Sequence, residues 1–230
     1  MRPGARSAGR ARSSVALPLS FYDRETEVVA RELLGAILEC RTNDGVAGGR
    51  IVETEAYLGE HDAACHAVVG ETARTRALYG PPGTAYVYFI YGVHWCFNAV
   101  TRAAGLPSAV LIRALEPVAG LPLIRQRRSA IRVDRDLTNG PGKLCAALGI
   151  DGTQNGLRLD RLPLRIRSGE LVPDADIAVS PRIGITRAAD WPLRWFITSS
   201  RFVSKAPRGI VGTPLARRSP MGRDDETARE

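Results

Sequence analysis

Residues 84–101, TAYVYFIYGVHWCFNAVT, constrain the fold more than any other stretch of the chain. Two runs rich in aromatic and β-branched residues flank Gly92, the pattern of an antiparallel hairpin with 84–91 as its outgoing strand and 94–101 as its return. Tyr86 and Tyr88 fall on one face of the first strand, and the plain expectation for Tyr86 is core packing. Tyr91 stands at the tip beside Gly92, where no inward direction is open to it. It is therefore exposed or inserted into a partner. A further apolar run, AVLIRAL at 109–115, reads as a buried strand interrupted by one charge, Arg113. A buried arginine needs a carboxylate, and Glu55 is a candidate.

Around these strands the punctuation is mixed. Asp23 can cap a helix carrying Val28, Val29, Leu33 and Leu34 on one face, closed by Gly35. Residues 36–40 read as a strand, and Asp44-Gly45 as a hairpin turn into a strand over 50–57. A helix is expected over 121–131, with Ile124 and Ile131 inward and Arg125, Arg128 and Arg132 along an edge. Asn139-Gly140-Pro141 introduces a short helix ending at Gly149, with proline at its first position. Short strands are expected at 164–167, 177–179 and 195–198. Helices and strands do not alternate regularly, so the expected class is α+β rather than a doubly wound sheet.

The 230 residues suffice for one well-packed domain, and a hydrophobic fraction of 44% with 24% charged residues is that of an ordinary globular chain. No apolar run approaches the ~18 residues of a membrane span. The first residues lack the apolar core of a secretory signal, although their Arg- and Ser-rich, acid-free character is shared with organelle transit peptides. Cys40, Cys65, Cys96 and Cys145 are widely spaced with no CxxC pair, which argues against a zinc site and a disulfide scaffold. Half of the net charge of +8 lies in residues 1–16, where four arginines meet no acid. The expected organisation is a disordered basic arm over 1–16, a domain over 17–205 and a flexible tail over 206–230. Such an arm would raise affinity for DNA non-specifically or serve solubility.

Glu53, Glu55 and Tyr57 alternate along a strand and so share a face. Carboxylates in an apolar strand are costly to bury unless paired or used, the bland alternative being a solvated strand face. His61, Asp62 and His66 follow and invite a metal site, but neither HExxH spacing nor a cysteine pair accompanies them, so no metal and no cofactor is expected. Lys143 falls in the first turn after Pro141, where a cation and free helix N–H groups suit a phosphate.

Taken together, ARELLGAIL, RIVETEAYLG with His66 after it, PGTAYVYFIYGVHWCFN, AVLIRALEP, LTNGPGKLCAALGI and PRIGI resemble the alkyladenine (3-methyladenine) DNA glycosylase family, in order and with family-like spacing from residue 30 to 185. The resemblance implies a single mixed domain with a curved, largely antiparallel sheet, a protruding hairpin and surrounding helices. It implies Glu55 as general base, with Arg113 and the backbone carbonyl of Ile183 helping to hold the attacking water. Tyr57, His66 and Tyr88 would wall the pocket for an extruded base, Asn98 would crowd the exocyclic amine of guanine, and Tyr91 would wedge into the duplex. Lys143 and Arg182 would contact DNA phosphates. No lysine stands among the matched chemical residues, so a Schiff-base lyase is not implied. The expected protein is a cytoplasmic, nucleoid-associated monomer acting on double-stranded DNA that carries alkylated purines, with no membrane partner. Two other readings compete: a non-catalytic lesion-binding protein on the same scaffold, and a metal-dependent nuclease using Glu53, Glu55 and Asp62.

Overall fold

In the computed structural model, residues 15–205 and 212–215 are described. A ten-stranded, wholly antiparallel sheet is built around one long strand, β2 (Gly45–Tyr57). One edge of β2 is shared: its first half pairs with β1 (Ile37–Thr42) and its second half with β9 (Arg194–Ile197). The other edge pairs with β5 (Ser108–Ala119), which continues to β4 (His94–Thr101) and β3 (Ala85–Ile90). Beyond β1 lie β7 (Leu164–Arg167) and β6 (Asp160–Arg161); beyond β9 lie β8 (Ile177–Ser180) and β10 (Thr213–Pro214). Among the described residues the α-helices are α1 (Leu19–Tyr22), α2 (Thr26–Glu32), α3 (Leu121–Arg127) and α4 (Pro141–Leu148). The chain is an α+β domain.

The β2–β5 ladder is not regular. Ile51 pairs with Leu115, Glu53 with Ala114 and Thr54 with Ile112, so Val52 on β2 and Arg113 on β5 are each skipped. Paired bulges of this kind bend the strands and re-aim side chains. Here they fall where Arg113 meets Glu53 and Glu55. Past the bulges the register is clean: Glu55 opposes Leu111, Leu111 opposes Asn98, and Asn98 opposes Tyr86. Four residues from four strands therefore stand in one row across a single face.

Helix α2 packs against this sheet through Val29 and Ala30, and the chain beyond it adds Leu33. The buried hydroxyl of Thr54 donates to the Ala30 carbonyl at 2.8 Å, fixing helix to strand. The helix begins at Thr26 rather than after Asp23, and Val28 faces outward at 43% exposure. The first hairpin turns at Asn43-Asp44, since Thr42 already pairs with Gly45. Helix α3 ends at Arg127, leaving Arg132 and Ile131 beyond it. At the edges of the expected arm and tail a few residues are described. Ala16 bridges Arg167 and the Leu17 amide donates to Ile166, while Thr213–Pro214 add a short strand to β8. The remainder of both segments lies outside the described residues.

The aromatic hairpin forms as its sequence demands, with Ile90 opposite His94 and three residues, Tyr91 to Val93, in the loop. Tyr91 adopts φ 56°, a left-handed conformation rare for a bulky residue, and is 80% exposed. Gly92 follows at φ 68°. Phe89 and Val93 are also exposed, so the protruding tip is apolar.

Candidate active site

One face of the β2–β5–β4–β3 sheet floors a cavity of about 400 Å³, within the range of small-molecule sites. The hairpin, the 64–66 segment, the start of α4 and the 183–185 strap wall it. Tyr57, His66, Tyr88, Asn98, Tyr91, Arg113, Lys143 and Ile183 all line it. Eight of the ten residues singled out in the sequence are thus brought to one place.

Glu55, the ninth, lies directly beneath. Its carboxylate has no exposed surface and is covered by residues that do line the cavity. Oε1 accepts the Ile183 amide at 2.8 Å, and Oε2 accepts the Tyr57 hydroxyl at 3.0 Å. Nη1 of Arg113 lies 3.2 Å from Oε2. The same Nη1 reaches the Ile183 carbonyl at 3.5 Å, so Glu55, Arg113 and both polar groups of Ile183 converge. Burial works against the charge on Arg113, but Glu55 and Glu53 more than offset it and hold the guanidinium protonated.

Glu53 has a different occupation. Its Oε1 accepts from Nε of Arg113 at 3.1 Å, from Nε of Arg194 at 2.7 Å and from the Ser204 hydroxyl at 2.7 Å; Oε2 accepts the Ser204 amide. That carboxylate is spoken for. Asp62 is likewise engaged, by Arg182. Each carboxylate of a nuclease reading built on Glu53, Glu55 and Asp62 is therefore already paired with an arginine.

The aromatic wall is a bonded cluster. His66 Nδ1 shares a hydrogen bond of 2.8 Å with the Tyr86 hydroxyl, and the His66 ring meets Tyr88 edge-on at 4.4 Å between centroids. Burial, and secondarily the nearby Arg74, hold His66 below its ordinary pKa, so the imidazole is neutral at pH 7. Burial pushes the Tyr57 and Tyr88 hydroxyls well above their usual value, leaving both as proton donors. Asn98 is buried in the floor, and its amide donates to the Tyr86 carbonyl at 3.1 Å.

Tyr86 itself lines the cavity, although its strand position reads as simple packing; it does both, being 2% exposed. The sequence also gave no sign that Cys65 and Cys96 line the same space. Burial raises both thiols, so they stand protonated rather than as thiolate nucleophiles. Lys143 is on the cavity wall as well, a lysine nearer the chemistry than expected, and its ammonium donates to Asn139 at 2.7 Å. Behind it, Gly142 is packed so closely by His94 that a Cβ there would sit 2.8 Å from the ring.

Arg182 is the exception. Its side chain has no exposed surface and cannot contact a phosphate. Both terminal nitrogens bind Asp62, at 2.5 and 2.8 Å, and the guanidinium carbon lies 4.7 Å from the centre of the Tyr57 ring. Nothing in the PRIGI segment distinguishes a buried arginine from an exposed one, because its partner stands 120 residues earlier.

A buried carboxylate braced by arginine under an aromatic cavity, on an α+β frame, goes with a hydrolase of the DNA glycosylase class, and comparison with known proteins agrees. Residues 20–201 match the model of a family described as methylpurine-DNA glycosylase. A relative from Myxococcus xanthus, provisionally named 3-methyladenine DNA glycosylase, is 48% identical over 207 residues, covering 89% of this chain and 98% of its own. Relatives with the same provisional name from Salinibacter ruber and Methanoculleus marisnigri are each 49% identical, covering 83% and 82% of this chain and 97% and 98% of theirs. The chain belongs to the methylpurine-DNA glycosylase family.

Proposed function

We propose that this protein is a monofunctional glycosylase of base excision repair that removes alkylated purines, 3-methyladenine above all, from duplex DNA. The observation that carries the reading is Glu55, held by Arg113, Tyr57 and Ile183 directly under the aromatic cavity.

The bond to be cut lies inside a stacked duplex, so the nucleotide is turned outward at a cost of a few kcal/mol. Tyr91, exposed on an apolar tip in a left-handed conformation, fills the vacated space. Stacking against Tyr57, His66 and Tyr88 offsets the flipping cost at ~1–3 kcal/mol per base. A purine methylated at N3 or N7 carries positive charge, which an aromatic wall favours by roughly 0.5–2 kcal/mol. The neutral His66 adds no repulsion of its own. Asn98 in the floor crowds a guanine amine and so ranks adenine lesions first.

The cationic base is already a good leaving group. As the N-glycosidic bond breaks, its electron pair goes to the purine, which departs neutral, and C1′ develops oxocarbenium character. A water held between Glu55, Arg113 and the Ile183 carbonyl adds to C1′, and its proton passes to Glu55. The products are a free methylpurine and an abasic sugar. Positioned proton transfer of this kind contributes typically ~10²–10⁴ in rate. Because Glu55 has no exposed surface, that water reaches it past the Ile183 carbonyl or the Tyr57 hydroxyl. The protein works as a monomer on DNA in the cytoplasm, with Lys143 at the cavity wall as a phosphate contact. Incubation with methylated DNA in a chelator, followed by identification of the freed bases, tests the reading. Release of 3-methyladenine is expected; an unchanged base composition, or strand cleavage that requires Mg²⁺, contradicts it.

A further inference from the structure

We infer that the buried Arg182–Asp62 pair is a positioning device for excision: one guanidinium sets the places of Tyr57, of the strap that bonds Glu55, and of the loop that carries His66. The inference rests on the glycosylase reading given above, with Glu55 as the group that activates water.

Three segments meet at this guanidinium. Nη1 donates to the Ala56 carbonyl at 3.0 Å as well as to Asp62, tying it to the end of β2. Nη2 donates to Asp62 and, at 3.4 Å, to the Ala188 carbonyl, which closes the strap on itself. The planar group backs the Tyr57 ring, whose hydroxyl bonds Glu55. The next residue along, Ile183, supplies the amide that bonds the other oxygen of Glu55. Asp62 in turn accepts the backbone amides of Leu58 and Ala64, each at 3.1 Å, and its own carbonyl accepts the Cys65 amide at 2.8 Å. Cys65 is followed at once by His66, the opposite wall of the cavity. Both hydrogen-bonding neighbours of Glu55 other than Arg113 are thus placed by one ion pair, and so is the base-stacking wall facing them.

A purely stabilising role accounts poorly for this arrangement. Burying two charges is expensive, and well-packed apolar residues of similar volume often serve stability as well or better. Nε of Arg182 is buried with no hydrogen-bond partner among the described residues, a cost that packing alone would not select. What an apolar pair could not do is hold three backbone segments at fixed directions. Misplacement by about 1 Å at a catalytic group costs on the order of 10²-fold in rate.

The test uses the full chain with wild type and Glu55→Gln in parallel. Variants are Arg182→Lys, Asp62→Asn and the paired change Arg182→Met with Asp62→Leu, which removes both charges and orphans neither. For each, the folded fraction, the single-turnover release of 3-methyladenine, its pH profile, and affinity for a duplex with an abasic analogue are measured. The paired variant is expected to fold, and to bind the abasic analogue within about threefold of wild type, yet to excise about 10²-fold more slowly with a displaced acid limb. Arg182→Lys, which keeps the charge but not the planar fork, is expected to be slow as well. Wild-type rates per folded molecule in these variants, or a rate loss equal to the loss of folded protein, would overturn the inference while leaving the glycosylase reading intact. A wild type that frees no methylated base would end both.

Discussion

The backbone amide of Ile183 donates to Oε1 of Glu55 at 2.8 Å, across 128 residues of chain. A single residue of an irregular strap thereby fixes one oxygen of the buried carboxylate, while its carbonyl lies 3.5 Å from Arg113, where the proposed mechanism puts the water. With Tyr57 and Arg113 on the other oxygen, Glu55 is oriented from three sides before any substrate arrives. Such preorganisation is where most of the electrostatic contribution to a rate arises.

Removing the Tyr57 hydroxyl tests that orientation. A hydrogen bond to a charged group is worth about 1.5–3 kcal/mol, so Tyr57→Phe should excise roughly 10–100-fold more slowly. Its ring still stacks, so the dissociation constant for lesion DNA should hold. Single-turnover kinetics separate the two, and a loss confined to binding would count against the proposed link from Tyr57 to Glu55.

Tyr91→Ala removes the proposed wedge without touching the cavity floor. Affinity for a duplex carrying an abasic analogue should fall about tenfold or more, in line with the loss of ~1–3 kcal/mol of stacking. Thermal unfolding should barely change, since the side chain is 80% exposed. Unchanged affinity would remove Tyr91 from the DNA interface.

The Asp62 carboxyl carries a pH signature. Burial alone would raise its pKa, but hydrogen bonds from Arg182 and from the Leu58 and Ala64 amides outweigh that and hold it below the ordinary carboxylate value. A depressed folded pKa means that the unfolded chain takes up the proton first. The pair's stabilisation is therefore complete above about pH 4, and is lost as pH falls through the folded value. Urea unfolding of Asp62→Asn should show a cost of about 3–5 kcal/mol at pH 7 and a flatter decline in acid than wild type. Parallel acid limbs in the two proteins would contradict the assignment.

Lys143 stands on the cavity wall, so the monofunctional assignment is open to direct challenge. With Lys143 engaged by Asn139, and Glu55 as the proposed activator of water, borohydride should trap no covalent enzyme–DNA adduct during turnover. A trapped adduct lost in Lys143→Ala would make the protein a lyase.

Much of the site was legible in the sequence because it sits on regular strands. The alternation of Glu53, Glu55 and Tyr57, the lone charge of Arg113 in an apolar run, and the tyrosine at a hairpin tip each point to their surroundings through strand geometry. What stayed hidden depends on long-range partners. Arg182 looks like any surface arginine until Asp62 is folded onto it. Glu53 looks equivalent to Glu55 until Arg194 and Ser204 occupy it. The paired bulges that skip Val52 and Arg113 have no local marker such as glycine. Helix α2 began later than Asp23 suggested, because capping signals fix a helix end only to within a few residues.

Single-turnover release of 3-methyladenine by Glu55→Gln tests most directly whether Glu55 is the group that activates water. Glutamine keeps the size of the side chain and can still accept the Ile183 amide, so lesion-containing duplex should bind within a few-fold of wild type. The rate should fall by ~10²–10⁴. Excision at near wild-type rate by that variant would contradict the mechanism outright.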